Sequence, residues 1–224
     1  MRKLPAWSYS FIKAFEQCPK KFYHTKVVKD YKDEMGEAAN YGNECHKAAE
    51  NYVKYDTPLP AKFAFIKRPV DTLVSKQGTK ICEHKMGLTE KLEPCGFFDK
   101  DVWYRGVADL IILDEENNLA WVIDYKTSKN ANYADKGQLE LMALCVFKHF
   151  PKVTTVRAGL VFLVCNKLVK ETYTKEDEPT LWRKWLSDHK RMEITFGKDV
   201  WNAHPSGLCR KHCVVLECPH NGRN

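Results

Sequence analysis

Two apolar strand candidates joined by a long apolar helix most narrow what this 224-residue chain can fold into. Leu119 to Thr127 reads as a strand, Ala134 to Phe150 as a helix and Val153 to Val164 as a strand. A strand, a helix of roughly 16 residues and a second strand make a βαβ crossover. Its strands are then parallel and its connection right-handed. The helix is apolar on most sides (Leu139, Leu141, Met142, Cys145, Val146, Phe150), as a helix buried on most sides is. The chain therefore reads as α/β, a mixed central sheet wrapped by helices.

The first strand of the crossover has a second partner upstream. Strand signals run over Lys80 to Leu88 and Val102 to Leu113, and Asp114-Glu115-Glu116-Asn117-Asn118 reads as a turn. If that turn centres on Glu116-Asn117, partner numbers sum to 233 and Asp109 faces Asp124. A turn one residue later puts Asp109 opposite Lys126 instead. Asp124 and Lys126 share a strand face, because strand side chains alternate. Either register gathers two carboxylates and an ammonium. Two acids that close repel unless a proton or cation relieves them. Hard oxygen ligands suit Mg²⁺ or Mn²⁺, and the lysine can steady a scissile phosphate or an attacking water. Metal-assisted phosphodiester hydrolysis fits the group. The plainer alternative is a solvated strand face. It fits poorly, because both strands are mostly apolar (Val107, Ala108, Leu110 to Leu113; Ala120 to Ile123) and read as buried on both sides.

Upstream, Ser8 or Ser10 can cap a helix running from about Phe11 toward Val27, with a break at Pro19. Further helices read over about Tyr41 to Tyr55, which carries His46, and about Ala64 to Leu73. Thr180 to Ile194 is an amphipathic helix. Its basic residues (Arg183, Lys184, Lys190, Arg191) could lie on DNA, or the helix simply closes the core. The length suits one domain: a helical N-terminal part (1–75), a core (76–165), and a C-terminal helix with a cysteine-rich tail (166–224). The net charge of +7 is compatible with an anionic polymer as partner. No apolar run approaches the ~20 residues of a membrane span. Met1-Arg2-Lys3-Leu4-Pro5-Ala6-Trp7 lacks the apolar centre of a secretory leader. The expectation is a soluble cytoplasmic protein.

The nine cysteines are then free thiols rather than disulfides. Cys145 and Cys165 lie in apolar runs and read as core. Cys209, Cys213 and Cys218 share the tail with His212 and His220, a spacing that suits a metal or iron–sulfur centre. Three cysteines need a fourth ligand, and Cys18, His212 and His220 are the candidates.

Taken together, these stretches resemble the PD-(D/E)XK nuclease superfamily, in its RecB-like branch of AddB nuclease domains, CRISPR-adaptation nucleases and phage exonucleases. Ser8-Tyr9-Ser10 through Cys18-Pro19 with Phe22-Tyr23 is similar to that branch's N-terminal signature. Gly42-Asn43-Glu44-Cys45-His46 is similar to its first motif, Arg105-Gly106-Val107-Ala108-Asp109 to its second, and Ile123-Asp124-Tyr125-Lys126 to the D/E-x-K motif. The resemblance implies a restriction-endonuclease-like core. It also implies Mg²⁺ or Mn²⁺ held by His46, Asp109, Asp124 and the Tyr125 carbonyl, with Lys126 assisting catalysis. Gln138 stands where the branch opens a helix beside the site, and Met142 replaces the aromatic that follows four residues later. Glu83 precedes the second motif on a strand, and either approaches the site or is a plain surface residue.

The resemblance further implies a four-iron, four-sulfur cluster on Cys18, Cys209, Cys213 and Cys218. The alternative is Zn²⁺ on Cys209, Cys213, Cys218 and His220. The tail spacing, three then four residues between cysteines, departs from the branch's two then five, and reading His212 for Cys213 restores it. The implied activity is a metal-dependent DNA exonuclease of phage or mobile-element origin, acting on single strands or duplex ends in the host cytoplasm. Alternatives are a catalytically weak DNA-end-binding module and a CRISPR-adaptation-type nuclease. Oligomeric state stays open, since some relatives form rings.

Overall fold

A computed structural model describes residues 4–32, 36–132 and 134–223. Met1, Arg2 and Lys3, the start of the segment read as too polar for a leader, lie outside them. In chain order the helices are α1 (Tyr9–Gln17), α2 (Pro19–Phe22), α3 (Glu37–Tyr55), α4 (Lys67–Val74), α5 (Gly137–His149) and α6 (Glu178–Lys198). The strands are β1 (Thr79–Leu88), β2 (Pro94–Cys95), β3 (Tyr104–Asp114), β4 (Leu119–Lys126), β5 (Thr155–Phe162) and β6 (Lys167–Thr174). The chain divides into two compact units, Met35–Leu181 and the pairing of Met1–Glu34 with Trp182–Asn224.

The first of these units is an α/β layer structure around one mixed sheet of order β2-β1-β3-β4-β5-β6. Among the described strands only β4 and β5 pair in parallel, and α5 is their crossover. Nearly every side chain of α5 from Leu139 to Phe147 is buried, as its all-round apolarity requires. On the other side, α3 and α4 pack Cys45, Ala48, Ala49, Val70 and Leu73 against Leu110, Ile112, Ile123 and Tyr125. The sheet is thus covered on both faces, which explains the unbroken apolar runs of β3 and β4.

Those two strands form the hairpin of the first expected register. Leu110 pairs with Ile123 and Asp114 with Leu119, so partner numbers sum to 233. The turn is held by Asp114, whose carboxylate accepts from the Asn117 backbone N–H and side-chain amide, while Asn118 takes the left-handed conformation at φ 51°. Edge strands β2 and β6 escape a reading of apolarity. β6 alternates exposed lysines with few buried groups, and an edge strand blunted by charge needs only one apolar face.

In the other unit, Ser8 caps α1, its hydroxyl accepting from Phe11 N–H. Pro19 then opens the separate short helix α2. On α6, Trp182, Trp185, His189 and Met192 are buried and Arg183, Lys184 and Lys190 are exposed, so the apolar face closes a core. Cys145 is buried as expected, but Cys165 is half-exposed, because the chain turns away from the sheet just after β5. No helix among the described residues is long and apolar enough to cross a membrane.

Candidate active site

Asp109 sits where the hairpin ladder ends. The last β3–β4 pair is Leu110 with Ile123. At the next step the Asp109 carboxylate accepts the Tyr125 backbone N–H at 2.6 Å. A side chain has replaced the strand's own carbonyl as acceptor, so β3 and β4 part with that amide satisfied. On the other side, β1 pairs with β3 through Cys82–Leu110 and His84–Ala108, which places Glu83 opposite Asp109. Glu83 adopts φ 49°, a left-handed conformation unfavourable for a side chain this long. Backbone strain of this kind persists only where the surroundings over-determine it, and it concentrates at functional sites.

The third contributor comes from α3. Its inward stripe (Cys45, Ala48, Ala49) docks on the sheet, and this turns His46 toward the strand ends. Close approach is allowed by Gly42, where a Cβ would stand 3.3 Å from Thr127 Oγ1. His46 Nδ1 lies 3.3 Å from Asp109 Oδ1, and its ring meets the Tyr125 ring edge-on. Ligand atoms of His46, Glu83 and Asp109 all lie within 4.8 Å of one another.

A second trio adjoins the first. Asp124 is 5% exposed. Lys126 Nζ lies 2.6 Å from Asp124 Oδ2 and donates to Gln138 Oε1 at 2.9 Å. The Gln138 amide donates back to Asp124 Oδ1. The glutamine at the start of α5 therefore satisfies both ends of the D-x-K pair. Burial first, then the negative charge of Asp109, pushes the Asp124 carboxyl up to about 6 despite Lys126. Burial and Asp109 also raise Glu83. For His46, burial pulls downward, but the hydrogen bond and charge of Asp109, with Asp124 and Glu83 behind it, win and raise it. Acids that raise the proton affinity of Asp124, Glu83 and His46 are what a cation site looks like before a cation offsets the negative charge.

The donor set fits a divalent metal: oxygens predominate, the backbone amide at Tyr125 orients one carboxylate, and the ammonium stands beside the other. The structure brings together His46, Asp109, Asp124, Lys126 and Gln138, with Tyr125 contributing its N–H. It adds Glu83, which the sequence left between site and surface. The signal for Glu83 was its register opposite Asp109, legible only once the β1–β3 pairing is known.

In the other unit, Cys18, Cys209, Cys213 and Cys218 line one cavity with His204 and His220. His212 is not among its lining residues. Cys18 Sγ accepts from the N–H groups of Lys21 and His204, and Cys209 Sγ from that of Ser206. Amides aimed at sulfur are the outer hydrogen bonds that orient a cysteine side chain as a ligand. Four soft sulfurs in one recess fit a zinc ion or an iron–sulfur cluster.

Residues 75–219 match the family model of the PD-(D/E)XK nuclease superfamily. The match contains Glu83, Asp109, Asp124, Lys126, Gln138 and the tail cysteines, while His46 and Cys18 precede it. Among solved structures, the chain is similar to a protein from Eubacterium rectale described as a "putative exonuclease". The identity is 13%, the alignment covers 96% of this chain and 90% of that one, and the TM-score is 0.57. It is also similar to SSO0001, at 14% identity, 99% and 89% coverage and a TM-score of 0.49. No curated protein matches the sequence.

Proposed function

The chain belongs to the PD-(D/E)XK nuclease superfamily, and on that premise we propose that it is a metal-dependent DNA exonuclease of the RecB-like branch. The observation that carries the reading is the meeting of His46, Glu83 and Asp109 within 4.8 Å, beside Asp124 paired to Lys126. A structural ion pair would have no use for three mutually repelling carboxylates. The likeness to the Eubacterium rectale protein supports the fold, and the word exonuclease in its description agrees with the proposal.

His46, Glu83 and Asp109 would hold Mg²⁺ or Mn²⁺, with Asp124 and the Tyr125 carbonyl as the nearest further ligands. A bound divalent ion supplies a water of lowered pKa and offsets charge on the phosphate. Lys126 orients the attacking water and donates toward the charge that develops on phosphorus-bound oxygen. Gln138 keeps the Lys126 ammonium and the Asp124 carboxylate in register, so neither has to reorganise during the reaction. Exposed basic side chains hold the DNA backbone without reading bases.

The four cysteines would hold a four-iron, four-sulfur cluster, or zinc with His220, and so tie α2 to the tail. The whole chain is then one nuclease domain, whose helical start and metal-bound tail serve the core. A phage or mobile-element setting fits this compact form.

End-labelled linear DNA incubated with Mn²⁺, Mg²⁺ or EDTA tests the activity. Wild-type protein should release label in either metal and not in EDTA, and Lys126→Ala should release it about 10²- to 10³-fold more slowly. Intact DNA in every wild-type lane, from protein holding its tail metal, refutes the nuclease reading in favour of a DNA-end-binding module.

A further inference from the structure

The loop between β2 and β3 carries Phe97 and Phe98. Phe98 is 75% exposed, the most open of the large apolar side chains among the described residues. The two rings stand edge to face, their centroids 5.0 Å apart. Two cations attend both rings. Lys85 Nζ lies 5.8 and 5.5 Å from the Phe97 and Phe98 centroids, and the Arg105 guanidinium 5.3 and 5.9 Å. The loop's acids lie close by: Asp99 accepts the Gly96 N–H and clusters with Asp101 and Cys95, and the Arg105 charge reaches the same Cys95 thiol and offsets part of theirs. The arrangement is graded in depth: Phe98 and Lys85 are exposed, whereas Phe97 and Arg105 are half-buried and anchor it.

The sheet directs this patch toward the candidate metal cluster. Cys82 packs on the α3 side, yet His84, two residues on, packs against His149 and Phe150 at the C-terminal end of α5. Regular alternation would keep both on one face. The left-handed turn at Glu83 reverses the faces, so Lys85, opposite in direction to His84, emerges on the α3 side with His46. Arg105 follows the same logic, because its neighbour Tyr104 reaches Cys145 of α5. At 3.3 Å per residue, Lys85 lies roughly 7 Å along the strand from Glu83 and Arg105 roughly 13 Å from Asp109. These are one- and two-nucleotide distances on an extended strand.

We propose that Phe97, Phe98, Lys85 and Arg105 form a platform for single-stranded nucleic acid that leads the strand to the His46–Glu83–Asp109 cluster. An unpaired base covers the open face of Phe98, and the two cations meet the flanking phosphates. A base inside a duplex is already stacked on both faces and cannot use the ring. The destination of the strand rests on the nuclease reading, whereas the binding itself does not.

Fluorescence anisotropy of a labelled oligothymidylate in EDTA, where no cleavage occurs, isolates the platform. Phe98→Ala should weaken binding by about 5- to 150-fold, the range for losing one base–aromatic stack. Phe98→Tyr should retain it, and duplex DNA of the same length should be unaffected by either change. Lys85→Ala should flatten the slope of log affinity against log salt by about 0.7. Phe98 is so exposed that the variants should melt with the wild type. Equal binding of the single strand by Phe98→Ala and wild type overturns the platform, as does equal loss of single strand and duplex, or no binding by the wild type at all. A Phe98 effect in protein that cleaves nothing in Mn²⁺ would leave the platform standing and remove the nuclease reading. Cleavage with no Phe98 effect would do the reverse.

Discussion

Replacing Asp124 by asparagine should stabilise the metal-free protein while abolishing its activity. Asp124 is 5% exposed and its carboxyl is pushed from 3.8 up to about 6, by burial and then by Asp109. Two pH units at 1.36 kcal/mol each make the ionised carboxylate cost about 3 kcal/mol of folding stability at neutral pH. The direction follows from proton counts. Between pH 4 and 6 the folded chain holds a proton that the unfolded chain has released, so wild-type stability falls as pH rises through that window. Below it, the carboxyl is neutral in both states. Asparagine is nearly isosteric, keeps an acceptor for the Gln138 amide and cannot ionise. It does forfeit the Lys126 ion pair, but Lys126 keeps its bond to Gln138 and is 34% exposed, so that loss is small.

In EDTA at pH 8, D124N should therefore be more stable by about 1 to 3 kcal/mol, and near pH 4 the gap should nearly close. At 2–4 °C per kcal/mol, the melting temperature should rise by about 2 to 12 °C. Mn²⁺ at a hundred times its dissociation constant adds about 2.7 kcal/mol to the wild type and less to the variant, narrowing or reversing the order. Urea titrations and thermal scans at pH 4 and pH 8, with EDTA or Mn²⁺, measure all four corners. A variant no more stable than wild type at pH 8, or a gap of equal size at both pH values, would refute the argument that charge at Asp124 is what the fold sacrifices.

Glu83→Gln should weaken Mn²⁺ binding roughly tenfold or more while leaving the fold intact, as followed by electron paramagnetic resonance of free Mn²⁺; unchanged affinity would return Glu83 to the surface. Lys126→Ala should bind Mn²⁺ normally but cut the cleavage rate by about 10²- to 10³-fold in single-turnover assays, because its role lies in the transition state. Apparent Mn²⁺ affinity of the wild type should fall as pH drops toward and through 6, since protons compete for both His46 and Asp124, and D124N should show a shallower fall that keeps only the His46 share. Cys18→Ser should lower the iron or zinc content of purified protein, and any absorbance near ~400 nm should fade with the iron.

Much of the core was legible because it is local. Alternating and apolar runs named β1, β3, β4 and β5, and an all-round apolar stretch named α5. The βαβ rule then made β4 and β5 parallel before any contact was known. β6 was not legible, since Lys167 to Thr174 is a polar edge strand and edge strands need little apolarity. For α6 the sequence offered a DNA face or a helix that closes a core. Burial of Trp182 and Trp185 assigns its apolar side to packing, a choice that depends on what lies beneath the helix, while Arg183, Lys184 and Lys190 stay exposed.

The amino-acid sequence by itself narrowed the β3–β4 hairpin to two registers, either of which gathers Asp109, Asp124 and Lys126, because turn chemistry and a two-residue period leave few registers for a strand pair; the structure shows the first of them. It also determined that Lys126 shares a face with Asp124. Only the tertiary structure decided that Glu83 completes the cluster, through a left-handed residue that no propensity anticipates. It also decided that Gln138 bridges Asp124 and Lys126, and that Cys18 joins cysteines almost 200 residues away in the chain. The physical reason is range. Hydrogen-bonded turns and periodic burial act between neighbours, whereas a metal cluster is assembled from groups whose approach depends on how whole layers pack.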